Sequence, residues 1–460
     1  MAAVDEDGSR PPMAGGGWRA RAAGLIERVT AAGAGRAAAT AFLIRVASAV
    51  LAYAMQIVLA RWMGRSEFGI YVYVWTWTLV IGDLAHFGLA YSVQRFIPEY
   101  TQAQAHDRLR GLLRAAPWFV FLASTAVAAL GVAGVHAFAP WIEGAEIIPF
   151  YLAFATLPFY ALNNLVDGIA RTYNWVNLAL VPPYILRPLL IMLVALAAPL
   201  AGFAPDAASG MGAALIATWL TTTVQLVVLR HRLARVVEPG PRAYDPRHWA
   251  KVSAPILLVF GFYSLFIYTD VIVLQLLRPS AEVATYFAAV KTLAPVAFIS
   301  FAVLAAVAHR FAEHHVSGAI DAQRQLLAQS VRGTFWLSVG AIAVLLPLGW
   351  PMLRLFGPGF EDGYPLLFIL AAGLIIRASV GPAERLLNMA GEQQRCTLIY
   401  AAAFAANLAA CLALIPTWHM YGAAMAVCIG MTVEAALLYR TVRQRLGLHA
   451  FVFFAPKASS

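Results

Sequence analysis

Charge is scarce in this chain: Asp, Glu, Lys and Arg together make up 12% of 460 residues, against 61% hydrophobic residues. With a mean hydropathy of +0.71, that balance excludes an ordinary soluble domain. Cysteine is nearly missing. Cys396, Cys411 and Cys428 are the 3 copies, and without C-x-x-C spacing they suggest neither a disulfide framework nor a zinc site; small apolar packing is the expectation. No G-x-x-x-x-G-K-[ST] phosphate loop occurs, which argues against an ATP-driven pump. Residues 1–40 lack a bounded apolar core, so no cleavable signal peptide is expected. Acids are outnumbered 23 to 33, for a net charge of +10. The distribution of that excess points away from nucleic acid.

What the chain has in abundance is apolar runs of bilayer-spanning length. Twelve are expected, at about 41–62, 69–92, 115–139, 147–170, 178–201, 209–230, 252–277, 284–308, 332–356, 365–389, 396–416 and 421–441. In lipid the backbone must satisfy its own hydrogen bonds, so these read as helices, and the fold class is all-α, polytopic. The even-numbered loops and both tails carry most of the arginines, among them Arg108, Arg110, Arg230, Arg232, Arg235 and Arg443. The odd-numbered loops are short and richer in acids (Glu67, Glu143, Glu146, Glu282, Asp362). By the positive-inside rule both termini are expected in the cytoplasm.

The chain also matches itself. A shift of 215 residues lays Tyr53–Phe96 onto Tyr268–Phe311, pairing Tyr53 with Tyr268, Glu67 with Glu282, Tyr71 with Tyr286 and Arg95-Phe96 with Arg310-Phe311. Two similar halves of six spans each enter and leave on one side, so they are parallel repeats, an arrangement that secondary transporters use to build a central site. The expected organisation is an N-terminal tail (1–40) with an interfacial helix at 18–38, an N-lobe (41–230), a cytoplasmic linker (231–251), a C-lobe (252–445) and a C-terminal tail (446–460). Pro239, Gly240, Pro241 and Pro246 break helix in the linker. Leu112-Leu113 and Leu326-Leu327 mark short amphipathic helices in the 2/3 and 8/9 loops.

Several stretches resemble a known family. "IVLARWMGRSEFGIYVYV" at Ile57–Val74 and "FGLAYSVQRFIPEY" at Phe87–Tyr100 are similar to the N-terminal signature of bacterial polysaccharide (O-antigen and exopolysaccharide) flippases, of the multidrug/oligosaccharidyl-lipid/polysaccharide exporter superfamily. "LFGPGFEDGYPLLFILAAGLII" at Leu355–Ile376, "LLNMAGEQQR" at Leu386–Arg395 and "NLAACLALIPTWHMYGAAMAV" at Asn407–Val427 resemble its C-terminal half. The resemblance implies two six-helix lobes around a cavity faced by spans 1, 2, 7 and 8. It also implies a polyprenyl-diphosphate-linked glycan as cargo, turned across the bacterial inner membrane for surface polysaccharide synthesis. A polysaccharide polymerase and glycosyltransferases are the partners it suggests.

Ionisable residues at membrane depth mark functional-site candidates. Asp270 and Lys291 flank the 7/8 turn at a shared level, roughly 10 Å in at 1.5 Å per residue. Arg45 and Asp83 share a level nearer the cytoplasm, while Arg187, Arg377 and Glu434 lie closer to mid-span. One reading pairs Asp270 with Lys291 and Arg45 with Asp83 structurally. The other has Arg45, Lys291, Arg187 and Arg377 bind the cargo's phosphates, for which Arg offers bidentate and Lys point-charge contacts. Asp83, His86, Asp270 or Glu434 can then carry a proton or sodium cycle, His86 sharing a helical face with Asp83. Tyr71, Tyr73, Trp75 and Trp77 spread around span 2 and form no single stripe; those near the outer interface read as a membrane belt, with sugar stacking as the alternative. Proline at Pro182, Pro183, Pro188, Pro255 and Pro295 predicts kinks. Two alternatives remain open: a cation-coupled small-molecule exporter on the same fold, and a membrane glycan polymerase or ligase, although the outer loops are short for an enzyme.

Overall fold

The computed structural model describes residues 17–299, 303 and 320–453. Residues 17–43 are helical and form the described part of one compact unit, Met1–Leu43; a second unit, Ile44–Ser460, holds everything that follows. Among the described residues, ten apolar helical stretches are long enough to cross a membrane. Two of them fold back at one non-helical residue, Gly64 (φ 78°) and His419 (φ 55°). Counting each arm gives twelve spans, an all-α protein of two six-helix lobes.

Spans 1 and 2 run through Ile44–Gln102, turning at Gly64. Span 3 is His106–Phe138, span 4 Gly144–Thr172 and span 6 Ala207–Val236. In the second lobe, span 7 is Pro246–Leu277, span 8 begins at Ser280–Leu293, span 9 lies in Ile320–Arg354, and span 10 combines Tyr364–Ala378 with Ala383–Met389. Spans 11 and 12 are the arms of Gln393–Leu446. The second copy of the repeat beyond residue 299 lies largely outside the described residues.

Proline explains the departures from regular helix. Span 5 starts as Val176–Val181, widens to a π-turn at Pro182–Leu186 and resumes as Arg187–Ala197. Pro182 and Pro183 lack N–H groups and crowd the preceding turn, so the hydrogen-bond ladder slips. At Pro295 span 8 tightens to a 3-10 turn, Ala294–Val296. Pro255 leaves span 7 helical.

Span 2 departs from the uninterrupted 69–92 helix that its hydropathy suggests. The helix stops at Ala85 and restarts at Leu89, with positive φ at Phe87 (51°) and Gly88 (77°). Gly88 lies so close to span 7 that a Cβ would sit 2.4 Å from the carbonyl oxygen of Ser253. Such an approach admits only glycine.

The amphipathic segments expected in the 2/3 and 8/9 loops are not separate helices. They are the first turns of spans 3 and 9, with Leu112, Leu326 and Leu327 buried. The 6/7 linker narrows to residues 237–245, which lie as a strap on the start of span 3. Arg110 donates to the carbonyls of Pro241 (2.9 Å) and Glu238 (3.2 Å), and Ala243 N–H donates to Asp107 O (2.9 Å). The first residues after span 12 fold back as well. Val452 N–H donates to Ser379 O (3.0 Å), and Leu448, Ala450 and Val452 are buried with Val331, Leu387, Tyr400 and Leu438.

Candidate functional site

The lobes meet along a seam formed by spans 1 and 2 on one side and spans 7 and 8 with the 9/10 loop on the other. Near the odd-numbered loops, Tyr53 OH shares a hydrogen bond with Thr292 (3.0 Å), Arg61 donates to Leu355 O (2.6 Å) and Arg65 pairs with Asp362 (3.5 Å). Phe68 is fully buried there, in edge or tilted contact with Phe287, Phe356 and Phe360. Gln275 donates to Glu146 (2.9 Å) and to Ser280 (2.7 Å). Gly69 makes this junction possible, since a Cβ would fall 1.9 Å from Ser280 O. Toward the even-numbered loops, Ser92 and Ser253 are 2.7 Å apart, Trp249 donates to Tyr100 OH (2.9 Å), and Tyr91 stacks on Phe260 at 3.5 Å.

The charged side chains lie along and beside this seam. Asp83 joins the lobes: one carboxylate oxygen accepts from Asn164 of span 4 (3.1 Å), the other from Ser264 of span 7 (3.0 Å). Tyr91, Tyr160 and Tyr268 lie within electrostatic reach of it. The expected Arg45–Asp83 ion pair is not formed. The Arg45 guanidinium lies 4.8 Å from the Tyr184 ring of span 5 instead. The shared face expected for Asp83 and His86 is also lost. His86 falls in the break after Ala85, fully buried, and its Nδ1 accepts from Gly88 N–H (3.1 Å). A ring spent on capping that break is not aligned with a carboxylate one turn back.

Lys291 and Asp270 lie within electrostatic reach of one another but form no ion pair. Asp270 accepts a hydrogen bond from Tyr286 OH, and the Lys291 ammonium lies 4.7 Å from the Phe287 ring. Arg187 packs on two aromatic rings, 5.7 Å from Trp75 and 5.5 Å from Tyr160. Lys291 and Arg187 hold no ion pair among the described residues. Arg377 differs. It donates to Glu434 at 2.7 Å and to Gly381 O at 3.2 Å, and Glu384 is 3.8 Å away. The Arg377–Glu434 bond joins spans 10 and 12, which makes both residues part of the C-lobe's packing.

The aromatic residues of span 2 depart from the belt expected for them. Tyr71 and Tyr73 are buried. Tyr73 meets Phe150 edge-on, while Tyr71 and Trp75, four residues apart and so on one face, stack with planes 6° apart. That i, i+4 spacing was the available signal for the Arg187 surroundings. No sequence feature marked Asn164 or Ser264 as the partners of Asp83.

A family profile, that of the lipid II flippase MurJ, matches residues 90–458. The chain belongs to the MurJ family. Its members move a lipid-linked substrate through the membrane and are transporters rather than enzymes. No individually curated protein matches the sequence significantly. Among solved structures, the lipid II flippase MurJ in an inward closed conformation aligns at 14% identity and TM-score 0.70, covering 87% of each chain. An inward-facing multidrug resistance MATE transporter of the MOP superfamily aligns at 13% and 0.70, covering 88% of this chain and 98% of the other. A MOP superfamily transporter from Pyrococcus furiosus, described as having a binding pocket of reversed polarity, aligns at 13% and 0.63, covering 90% and 95%. At these identities the structural likeness establishes the two-lobed fold, and the family profile establishes the superfamily branch.

Proposed function

We propose that this protein is a secondary transporter that turns a polyprenyl-diphosphate-linked glycan from the inner to the outer leaflet of the bacterial inner membrane by alternating access. The observation that carries the reading is the state of Lys291. In a chain of a lipid-linked-glycan flippase family, this cation stands beside the lobe seam on an aromatic ring, without an ion-pair partner among the described residues. A diphosphate supplies the charge it lacks.

Lys291 and Arg45 contact the phosphates, and the glycan follows them into the space between the lobes while the polyprenyl chain stays in lipid. Arg377 is withdrawn from that role, because Glu434 and Glu384 already claim its donors. Asp83 is the group through which a proton or sodium cycle couples to movement: its two partners belong to different lobes, so separating them breaks a hydrogen bond that a bound cation can replace. Both termini are cytoplasmic. The cargo is a surface-polysaccharide unit assembled by glycosyltransferases and consumed by a polymerase, and the MurJ match makes the peptidoglycan precursor the comparison to run.

The test is a depletion strain complemented with wild type or Lys291→Gln, scored for lipid-linked glycan retained in the inner leaflet. Accumulation that wild type clears and Lys291→Gln does not, at equal expression, supports the proposal. Clearance by Lys291→Gln at the wild-type rate overturns it. Efflux of small cations without any glycan phenotype would favour the MATE-like exporter instead.

A further inference from the structure

The internal repeat exposes an asymmetry between the lobes. In the C-lobe, Tyr286 is fully buried and its hydroxyl donates to the carboxylate of Asp270. The same shift of 215 residues that pairs Tyr286 with Tyr71 pairs Asp270 with Met55. Tyr71 is 1% exposed, and its hydroxyl has no partner among the described residues. The N-lobe has the buried phenol but not the carboxylate that the other lobe provides for it.

A second orphan lies beside it. Arg187 Nη1 is buried and also without a hydrogen-bond partner, and Arg187 is close enough to Tyr71 to act on it electrostatically. A buried polar group left unpaired costs free energy, so two neighbouring ones describe a missing acceptor. The surroundings are built rather than incidental. The π-turn at Pro182–Leu186 sets the register from which Arg187 emerges, and π-turns concentrate at functional sites. Trp75 stacks on Tyr71 and meets Tyr160 edge-on, so two aromatic rings flank the guanidinium. Gly82 makes room for Tyr160, whose ring lies 2.3 Å from where a Cβ would be.

We propose that Tyr71 and Arg187 form a carboxylate-binding subsite in the N-lobe, with Trp75 and Tyr160 as the walls against which the sugar bearing that carboxylate packs. It takes an acidic glycan, one whose sugar or sugar substituent carries a carboxyl group, and the ligand's carboxylate serves Tyr71 as the acceptor that Asp270 is for Tyr286. The subsite is distinct from the diphosphate contacts at Lys291. This deepens the transport reading and rests on it for the identity of the cargo, but not for the binding itself.

The test uses the full chain in lipid nanodiscs and calorimetric titration of three probes: a galacturonic acid trimer, its neutral methyl ester and inorganic pyrophosphate. The acid trimer is expected to bind about tenfold or more tightly than the ester, as charge-assisted hydrogen bonds imply. Tyr71→Phe, which keeps the stacked ring, and Arg187→Gln should each remove most of that preference. Met55→Asp should remove it too, by supplying the acceptor from within the chain. All three should leave pyrophosphate binding intact, whereas Lys291→Gln should lose it. Equal affinity for acid and ester overturns the subsite, as does an acid preference that survives Tyr71→Phe and Met55→Asp. So does loss of pyrophosphate binding in Arg187→Gln, which would assign that arginine to the diphosphate. Failure of wild type to bind pyrophosphate would count against the transport proposal while leaving an acid preference standing.

Discussion

The Arg377–Glu434 pair is where a structural reading and a substrate-binding reading part most measurably. Glu434 is 6% exposed in its side chain, Arg377 24%, and the contact is 2.7 Å. Removing one member of a buried pair strands the other, at about 3–5 kcal/mol. Glu434→Leu leaves Arg377 with Glu384 at 3.8 Å, so its cost should fall near the lower end, about 3 kcal/mol. Arg377→Met leaves the more deeply buried carboxylate without its arginine and should cost the larger amount. The double variant places apolar side chains on facing helices and should recover much of both losses, because matched hydrophobic replacements of buried pairs are often neutral. The coupling energy in that cycle is therefore expected to be large, about 4–6 kcal/mol. Thermal unfolding of the four proteins in detergent, followed by tryptophan emission, measures it. The double variant should also clear lipid-linked glycan in cells. Additive losses, or a stable double variant that has lost transport, would refute the packing role and return Arg377 to the cargo.

Substituting Gly69 by Val should force the odd-loop end of the seam apart, since its Cβ would lie 1.9 Å from Ser280 O; cysteine probes at Thr292 should then label severalfold faster. Asp83→Asn should retain the fold but remove the dependence of transport on the proton or sodium gradient, assayed in proteoliposomes with each gradient imposed in turn. A Ser264→Ala variant should weaken that dependence without abolishing it, because Asn164 still holds the carboxylate. Truncation after Leu446 uncovers the surface on which Leu448 and Val452 are buried. The loss should be about 3–6 kcal/mol at 1.5–3 kcal/mol per side chain, read as a lower unfolding temperature.

The spans and their repeat were legible because lipid imposes a length and a backbone constraint that hydropathy reports directly. Azimuth was not. Arg45 and Asp83 were expected at one level as a pair, yet the first lies on Tyr184 and the second between Asn164 and Ser264, because rotation about a helix is set by packing. The break at Phe87-Gly88 was hidden for a similar reason: a lone glycine in an apolar run looks alike whether or not Ser253 presses on it from another lobe. The spacing of Tyr71, Tyr73, Trp75 and Trp77 offers two i, i+4 pairs, and nothing in it said that Tyr71 and Trp75 would be the pair that stacks. The fold-back of residues 448–453 carried no signal beyond a few apolar residues after the last arginines.

The strap across the mouth of span 3 has a mechanical consequence. Ala243 is fastened to Asp107, and span 7 begins at Pro246 with Asp245 capping His248. Three residue steps reach about 10 Å when fully extended. Span 7 is therefore on a short leash. However far the lobes swing, its first turn can travel about that distance from span 3 before the anchoring amide must let go, which sets a ceiling on the stroke that the rest of the molecule does not.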